Sequence, residues 1–152
     1  MNQPNDVSGL KQTIAELFST QKLAVLSSFG NEQPYASLIA FAETEDLRHI
    51  IFATTRATRK YANLSSESKI ALLIDNRSNE EKDFSHAVAA TALGSAEEVS
   101  NAERESFLEM YLKKHPYLKD FVSSPSCALL KVTVQKYSMV SRFQNVRELH
   151  MS

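Results

Sequence analysis

The residues best suited to chemistry lie close together, between Ile50 and Ser66. A short apolar run gives way to threonine hydroxyls and cations, just where the pattern becomes helical. A helix N-terminus already carries partial positive charge, so cations there are unfavourable, and no Asp or Glu lies in this stretch to neutralise them. Unpaired N–H groups, hydroxyls and cations together suit a phosphate. We therefore predict the anchor of a phosphorylated cofactor, built from Thr54, Thr55, Thr58, Arg59 and Lys60, with Arg56 beside them.

A simpler interpretation of these residues stays open. They are also compatible with a solvated helix start, whose positive charges meet Glu67 or a carboxylate elsewhere in the chain. The two interpretations differ in whether acidic side chains from other parts of the fold occupy the cations, which the local sequence does not decide.

Composition limits the class of protein. The chain has 152 residues and a formal net charge of −1 at pH 7, with 43% hydrophobic and 23% charged residues. These values are ordinary for a globular protein, and the length fits one domain spanning 1–152. A nearly neutral chain has no general attraction to nucleic acid or to an anionic membrane. We expect neither as a partner, and the local basic cluster suits a small anionic ligand.

Residue counts and spacing exclude several kinds of site. Cys127 is the single cysteine, which excludes an intrachain disulfide and a thiolate zinc site. The four histidines have no metal-ligand spacing, so we expect no metal, and three glycines are too few for a dinucleotide fingerprint or a P-loop. The N-terminal residues do not form a signal peptide, and no apolar run is long enough to span a bilayer, which predicts a cytoplasmic protein.

The order of helical and extended patterns predicts the fold class. A hairpin turn is expected at Gly30-Asn31, a bulge at Gly94 and a capping box at Ser100–Glu103. Six strands joined mainly by hairpins predict an α+β, mainly β, protein: an antiparallel six-stranded barrel with flanking helices. The predicted helices are 10–18, 57–64 and 100–115, and the predicted strands are 22–29, 33–41, 47–53, 69–75, 84–99 and 127–143.

Four segments, which together cover most of residues 20–145, resemble the motifs of one known family. Phe52 to Thr55 with Thr58-Arg59-Lys60 resembles its aromatic-x-Thr-Asn and Ser-Arg-Lys elements, and Asn63-Leu64 with strand 70–74 continues as the family does. Residues 93–97 resemble its Gly-x-Ala-Glu strand, and 111–116 resemble its Tyr-x-x-x-Arg-Pro element. The chain thus resembles the pyridoxamine 5′-phosphate oxidase-like family of FMN-binding split barrels.

This resemblance implies a split barrel with FMN in a cleft between the two subunits of a homodimer. The cluster at 58–60 would bind the phosphate, the strand at 37–39 would follow the isoalloxazine ring with Thr54 near it, and 76–78 would contact the ring or the ribityl chain. The run at 142–144 would close the site from the partner subunit. The implied cofactor-binding residues are Ser37, Leu38, Ile39, Thr54, Thr55, Thr58, Arg59, Lys60, Asn76, Arg77, Ser78, Arg142, Phe143 and Gln144.

Several of these residues also have plainer interpretations. The strand at 37–39 is compatible with an ordinary half-buried strand, and Asn76-Arg77-Ser78 with a polar turn. Phe143 is compatible with a simple dimer contact, and Cys127 with an inert buried thiol. Tyr111, at helical spacing from other apolar residues, fits a core position.

The chain departs from the true oxidases at their substrate positions. The stretch 36–41 holds neither the Arg nor the Lys that the oxidases present there, and their cofactor-binding Gln falls at Ala89. Their substrate Arg is replaced by His115 and the Ser beyond it by Lys119, while the C-terminal Arg-x-His pair has only a loose counterpart at 147–150. These departures favour a flavoprotein that is not a pyridoxamine phosphate oxidase.

The resulting hypothesis is an FMN-binding oxidoreductase that acts on an unidentified small substrate. A flavin carries out hydride or electron transfer itself, so no acid–base motif is required of the protein. Relatives of the same fold bind haem or the deazaflavin F420, and His150 is the candidate iron ligand for haem. A non-catalytic flavin- or haem-binding protein and a purely structural dimer are compatible with the same residues.

Overall fold

The computed structural model describes residues 7–151; residues 1–6, which bear on the signal-peptide prediction, and residue 152 lie outside the described part. The helices are α1 (Val7–Thr20), α2 (Arg59–Ser66), α3 (Asp83–His86), α4 (Asn101–Lys114) and α5 (Lys119–Ser123), with a 3₁₀ turn at Pro116–Leu118 before α5. The strands are β1 (Leu23–Gly30), β2 (Gln33–Glu43), β3 (His49–Thr55), β4 (Lys69–Asp75), β5 (Val88–Glu98), β6 (Cys127–Ser141) and β7 (Asn145–His150).

The strands form a closed antiparallel barrel. Their order is β3-β2-β1-β4-β5-β6-β7, and β6 also pairs with β3, so six strands close on themselves while β7 adds to the free side of β6. Closure removes most of the unpaired strand edges that an open sheet would expose. The predicted six-stranded split barrel with flanking helices is confirmed, and β7 is a seventh strand outside it.

The interior of the barrel is covered at one end by α1. Its buried face consists of Leu10, Ile14, Leu17 and Phe18, which is the face that the sequence periodicity predicts. The Phe18 ring makes edge contacts with Phe41 at 5.5 Å and with Tyr137 at 5.6 Å between centroids. These aromatic contacts fasten the helix to the barrel core.

A second, smaller apolar cluster lies outside the barrel, where α4 and α5 cover β3 and the start of β6. It includes Ile51, Tyr111, Val122 and Leu129, with the Cys127 thiol buried among them. Burial raises the pKa of this thiol. Cys127 therefore occupies the inert, buried position that the apolar sequence context indicates.

The C-terminal strand prediction is wrong in its extent. Instead of one strand over 127–143, the chain turns back after Ser141 and forms β7. The turn contains Arg142 (φ 52°) and Phe143 (φ 62°), both in the left-handed region that L-residues seldom adopt. No glycine marks the turn in the sequence, so the residue types at this point give no turn signal.

Two further boundaries differ from prediction because short polar segments form local structure. The strand predicted to start at Phe84 starts at Val88, since 83–86 form α3. The predicted Gly30-Asn31 turn is shifted by one residue: Gly30 pairs with Gln33, and Asn31 and Glu32 are the turn residues, with φ of 52° and 60°. Such positive φ values are typical of a type I′ hairpin turn.

One irregularity of the barrel creates the candidate site: β2 and β3 separate after only a few paired residues. They pair at three positions, Phe41 with Phe52, Ala42 with Ile51 and Glu43 with Ile50. Beyond Phe41, residues 33–40 of β2 pair only with β1, and 53–55 of β3 pair only with β6. The barrel is split along this line, and the split leaves one side of β2 without a strand partner.

The bulge at Gly94 is confirmed, and it generates a stability prediction. The β5–β6 register shifts between Leu93 and Gly94, and a Cβ on Gly94 would run into the backbone carbonyl of Thr133. Because a backbone in a central strand cannot move aside as a side chain does, Gly94→Ala should lower the free energy of unfolding by about 1–3 kcal/mol. Urea denaturation measures this. The control is Ser95→Ala, one position further along β5, which should change the free energy of unfolding little. A Gly94→Ala protein as stable as the wild type would contradict the close approach of Gly94 to the Thr133 backbone.

Candidate functional site

The split between β2 and β3 forms a groove of about 310 Å³. Residues 38–40 of β2 form one wall and 53–55 of β3 the other, with Thr58 and Lys60 at the start of α2. Tyr111, Leu118 and Phe121, from α4 and the segment after it, complete the lining. The fold thus brings together the predicted Leu38, Ile39, Thr54, Thr55, Thr58 and Lys60, which come from two segments of the chain.

The β2 wall presents backbone groups that the sheet leaves unpaired. The Ala40 carbonyl accepts a hydrogen bond from the Tyr111 hydroxyl at 3.0 Å, which shows that this carbonyl faces away from β1. Backbone groups alternate along a strand, so the N–H and C=O of Leu38 face the same way. No strand within the described residues pairs with β2 on that side at this position. A flat polar ligand in the groove would therefore meet a free amide donor and a free carbonyl acceptor.

The side chains of 37–39 divide between the two faces of β2. Ile39 is buried in the barrel core, whereas the Leu38 side chain is 62% exposed on the groove side. Ser37 shares the inward face with Ile39, and its hydroxyl is buried with no hydrogen-bond partner in the described part of the chain. An unsatisfied buried hydroxyl costs about 1–3 kcal/mol, but Ser37 faces the barrel interior and is not among the residues that line the groove.

The threonines at the other end of the groove are organised around the start of α2. Thr58 is the N-cap of the helix: its hydroxyl accepts from the Tyr61 N–H at 3.2 Å and donates to the Thr55 carbonyl at 2.8 Å. The Thr54 hydroxyl lies 3.2 Å from that of Thr58. These bonds shape the turn. They leave the N–H groups of Arg59 and Lys60, in the first turn of α2, free to face an anion.

The three cations of this segment have different roles. Arg56 is held by protein groups: its guanidinium lies 2.6 Å from Glu98 and donates to the Pro125 carbonyl at 2.8 Å. The ion pairs among residues 7–151 include neither Arg59 nor Lys60. Arg59 lies 5.9 Å from the ring centre of Tyr35, within cation–π range. Of the two interpretations of the cluster, a distant carboxylate therefore applies to Arg56 and leaves Arg59 and Lys60 available.

Glu98 ties this turn to the far end of β5. Besides Arg56, it accepts a hydrogen bond from the Tyr61 hydroxyl at 2.8 Å. Partial burial would raise the pKa of Glu98, but the hydrogen bonds from Arg56 and Tyr61 outweigh it, so the pKa of this carboxyl lies below its ordinary value. The turn from β3 into α2 is thus positioned by Glu98, which is about forty residues away in the sequence.

The remaining predicted residues lie elsewhere. Arg77 and Phe143 line a separate cavity of about 710 Å³, together with α3 and the start of β5. Asn76 closes the adjoining loop by accepting from the Val88 N–H at 2.8 Å, and the Ser78 hydroxyl donates to Asp83 at 3.0 Å. Arg142 and Gln144 belong to the same β6–β7 turn as Phe143. The structure thus divides the fourteen predicted residues into two groups.

The two groups are far apart within one chain. Cys127, at the start of β6, pairs with Thr55 beside the groove, whereas Ser141, at its end, leads into the Phe143 turn. β6 has 15 residues, so about 40 Å or more of strand path lies between its two ends. The groove and the larger cavity share no lining residue. Residues 142–144 therefore do not reach the groove of their own chain.

Sequence reasoning missed the third wall of the groove. Tyr111 is buried, as its spacing predicts, but its hydroxyl also caps the free edge of β2 at Ala40. His115, at the position of a substrate Arg in the true oxidases, is buried with its Nε2 2.6 Å from the Phe41 carbonyl. Burial lowers the pKa of His115, so this ring is a neutral structural donor. The sequence signal that could have revealed this contact is the polar side chain of His115, which lies four residues after Tyr111.

Two further properties of the chain bear on the class of site. Residues 7–151 contain no group of three or more His, Cys, Asp or Glu side chains placed to hold a metal ion. None of the helices described is long and apolar enough to cross a membrane.

Comparison with known proteins identifies the family. A family model described as "Pyridoxamine 5'-phosphate oxidase" matches residues 10–141, which is most of the chain. Together with the six-stranded split barrel, this match means that the chain belongs to the pyridoxamine 5′-phosphate oxidase-like family. No curated protein matches the chain significantly.

Solved structures share the fold at low sequence identity. A protein of unknown function from Agrobacterium tumefaciens matches with TM-score 0.80 and 14% identity, covering 93% of this chain and 60% of its own. A "heme binding protein" from Mycobacterium smegmatis has TM-score 0.82 and 16% identity, covering 99% and 60%. A "fad-binding protein" from Mesorhizobium loti has TM-score 0.68 and 10% identity, covering 84% and 91%. The chain thus spans about 60% of the length of the first two.

The Arg56–Glu98 contact makes a testable prediction about stability. The pKa of Glu98 is lowered in the folded protein, so its charged form stabilises the fold above the ordinary pKa of 4.5 and the effect disappears as the pH falls through the folded value. Glu98→Gln should lower the free energy of unfolding by about 0.5–1 kcal/mol at pH 7, since the pair is partly exposed.

Urea denaturation at pH 7 and at pH 3 measures the effect. The difference between wild type and Glu98→Gln should be smaller at the lower pH, and Glu105→Gln, at an exposed position on α4, is the control that should change little at either. A difference as large at pH 3 as at pH 7 would contradict an ionic origin.

Proposed function

We propose that this protein is an FMN-binding flavoprotein that acts as an oxidoreductase on a small substrate, with the flavin seated in the split between β2 and β3. One observation carries the proposal. The split places the free backbone edge at Leu38 opposite the start of α2, where Lys60 lines the groove. Neither Lys60 nor the neighbouring Arg59 has an acidic partner among residues 7–151. A long ligand with a flat polar ring at one end and a phosphate at the other matches this arrangement.

The α2 end of the groove fits the phosphate. Its donors are the first-turn N–H groups of the helix, the Lys60 ammonium and the Arg59 guanidinium, and the capping threonines hold the turn in shape. A dianion beside a helix N-terminus is favoured by the helix dipole and by charge-assisted hydrogen bonds. The absence of acidic partners for Arg59 and Lys60 in the described chain is explained if a ligand supplies the negative charge.

The β2 end of the groove fits the flavin ring. The pyrimidine edge of isoalloxazine carries both acceptors and a donor, which complement the C=O and N–H of Leu38. The Leu38 side chain and the apolar residues of 118–121 offer surfaces for the ring faces.

When bound, FMN supplies the hydride or electron transfer itself. The chain's own residues would then bind the phosphate, orient the ring through backbone groups and limit access of water with Tyr111 and Phe121. The substrate Arg of true oxidases is replaced by His115, and this side chain is buried against Phe41. A pyridoxamine phosphate substrate is therefore not part of the proposal.

We further propose that the protein works as a homodimer. The groove lies beside the start of β6, and the 142–144 turn of the same chain follows the other end of this strand. Two chains related by a two-fold axis would each provide a turn for the other's groove. Phe143, 63% exposed and held in a left-handed conformation, would then cover the partner's cofactor.

Haem is the second candidate cofactor, favoured by the likeness in fold to the heme binding protein from Mycobacterium smegmatis. The candidate ligand His150 is exposed on β7, where its Nε2 lies 3.7 Å from a Glu148 oxygen. Haem titration of His150→Ala tests this assignment: an unchanged Soret band would remove His150 as the iron ligand.

The first experiment is a visible absorption spectrum of the protein purified without added cofactor, followed by mass spectrometry of the molecule that heat releases. We expect a yellow protein that releases FMN. A Soret band would support haem, and release of F420 would support the deazaflavin. A colourless protein that binds none of them when they are added would contradict the proposal and favour a purely structural role.

The phosphate anchor is tested by the double variant Arg59→Ala/Lys60→Ala. Each charge-assisted phosphate contact contributes about 1.5–3 kcal/mol, so the affinity for FMN should fall at least about tenfold, by flavin fluorescence titration. Lys69→Ala/Lys113→Ala removes the same charge from exposed positions outside the groove and should bind as the wild type does. Unchanged affinity in a folded Arg59→Ala/Lys60→Ala protein would refute the assignment.

The shared site is tested by mixing two defective chains. One chain carries Arg59→Ala/Lys60→Ala and the other carries alanine at Arg142, Phe143 and Gln144; each alone should bind FMN weakly. After unfolding and refolding together, about a quarter of the sites should regain tight binding, because each mixed dimer has one site with both halves intact. No recovery, in a mixture that sedimentation shows to contain dimers, would mean that each site belongs to a single chain.

A further inference from the structure

A third cavity, of about 280 Å³, lies across the turn from β3 into α2. Thr55 and Thr58 of this turn line the groove, whereas Arg56, between them in the sequence, lines the third cavity. The third cavity shares no lining residue with the groove or with the cavity beside the β6–β7 turn. Its volume is below the range typical of drug-sized ligands, so it suits a small ligand.

Polar groups from four separate segments meet at this cavity. The segments are the turn after β3, the end of β5, the start of α4 and the loop that follows α5. They contribute two guanidinium groups, from Arg56 and Arg104, one carboxylate, from Glu98, and the exposed hydroxyl of Ser123. Two positive charges and one negative charge therefore line the cavity, which favours an anion.

Arg104 is the cation of this cavity that has no acid paired with it. It is half-buried, yet the ion pairs among residues 7–151 do not include it. Its guanidinium donates one hydrogen bond within this part of the chain, to the Val122 carbonyl at 3.5 Å, which is longer than the usual range. A guanidinium carries five donors in a planar fork that matches an oxyanion. Most donors of Arg104 are therefore available to a ligand.

Arg56 places a second positive charge at a fixed position. Its guanidinium donates to the Pro125 carbonyl at 2.8 Å and lies 2.6 Å from Glu98. The other oxygen of Glu98 accepts from the Tyr61 hydroxyl at 2.8 Å. Glu98 therefore offsets the charge of Arg56, with which it is paired, and leaves the charge of Arg104 without a balancing contact.

We propose that this cavity is a second anion site, in which the guanidinium of Arg104, beside the fixed charge of Arg56, binds a phosphate group. A phosphate group has several acceptor oxygens and carries more negative charge than a carboxylate, so it can accept from donors on α4 and on the neighbouring segments together. The Ser123 hydroxyl supplies a neutral donor. The site lies outside the groove, and binding there does not require a flavin.

The probe is inorganic phosphate, titrated by calorimetry at low ionic strength. The protein is the full-length Arg59→Ala/Lys60→Ala variant, because the proposed flavin anchor would bind phosphate as well. We expect one saturable site. Adding Arg104→Gln should weaken binding at least about tenfold, whereas Lys113→Gln, at an exposed position on the same helix, should change it little. The absence of saturable binding, or equal losses in these two variants, would overturn the proposal.

A change in the opposite direction separates binding from folding. Glu98→Gln removes the carboxylate from the cavity, so the same protein with this change should bind phosphate about two- to tenfold more tightly, which loss of structure cannot imitate. Glu109→Gln removes an exposed carboxylate of α4 that does not line the cavity and is the matched control. Arg104→Lys, which keeps the charge without the fork, should bind with intermediate affinity. Unchanged or weaker binding by folded Glu98→Gln would contradict the site.

Glycerol 3-phosphate identifies the source of the phosphate group. Tighter binding of glycerol 3-phosphate than of inorganic phosphate would support a small phosphomonoester as the ligand, and the reverse order would support free phosphate. The flavin proposal fails separately, because Arg104→Gln alone should keep the wild-type affinity for FMN. Loss of FMN binding in that folded variant would mean that Arg104 serves the groove, which contradicts a separate site.

Discussion

The incomplete pairing of β2 with β3 is the constraint on which the rest of this structure depends. A barrel with full pairing would have no free strand edge and no cleft between these strands. Here the pairing of β2 with β3 stops at Phe41 and Phe52. Beyond these residues β2 pairs only with β1, and β3 pairs only with β6. The loss of backbone hydrogen bonds is partly offset by side chains, since Tyr111 donates to Ala40 and His115 contacts the carbonyl of Phe41.

The divergence is maintained by contacts from outside the barrel. Beside the β3 wall, Arg56 and Tyr61 bind Glu98, so the turn into α2 is fixed to the end of β5. On the β2 side, Lys114 lies 2.7 Å from Glu43 and 3.9 Å from the centre of the Phe41 ring. Burial lowers the pKa of Lys114, while its contact with Glu43 opposes this. Each side of the split is thus held by a charged contact, whereas Arg59 and Lys60 have no acidic partner among residues 7–151.

The two ends of β6 border surfaces of different chemical character. The end near Cys127 borders the groove with its cationic helix start, and the end near Ser141 borders an acidic cavity with exposed aromatic rings. The two surfaces therefore differ in the sign of their charge and lie at opposite ends of β6. A two-fold dimer would bring one kind of surface to the other, which is why the flavin and dimer proposals can be tested both separately and together.

The local sequence determined much of this protein. Apolar periodicity is a local property, and it defined α1 and the barrel strands, while the glycine at position 94 indicated the bulge. The pattern after Thr58 likewise predicted a short helix with cations at its start, although the capping role of the Thr58 hydroxyl appeared only in the structure. The β6–β7 turn was missed because Arg142 and Phe143 adopt left-handed conformations that their residue types do not favour.

Only the tertiary structure decided which groups share a site. Sequence placed Arg56 with the other two cations, but pairing with Glu98 depends on the β5 and β3 ends meeting through β6. In the same way, the groove wall from Tyr111 and the meeting of Phe84 with Phe143 depend on long-range strand order. Residue types and spacing determine the local conformation and the chemical groups that are available. The partner of each charge or ring depends on closure of the barrel, because closure brings together residues that are far apart in the sequence.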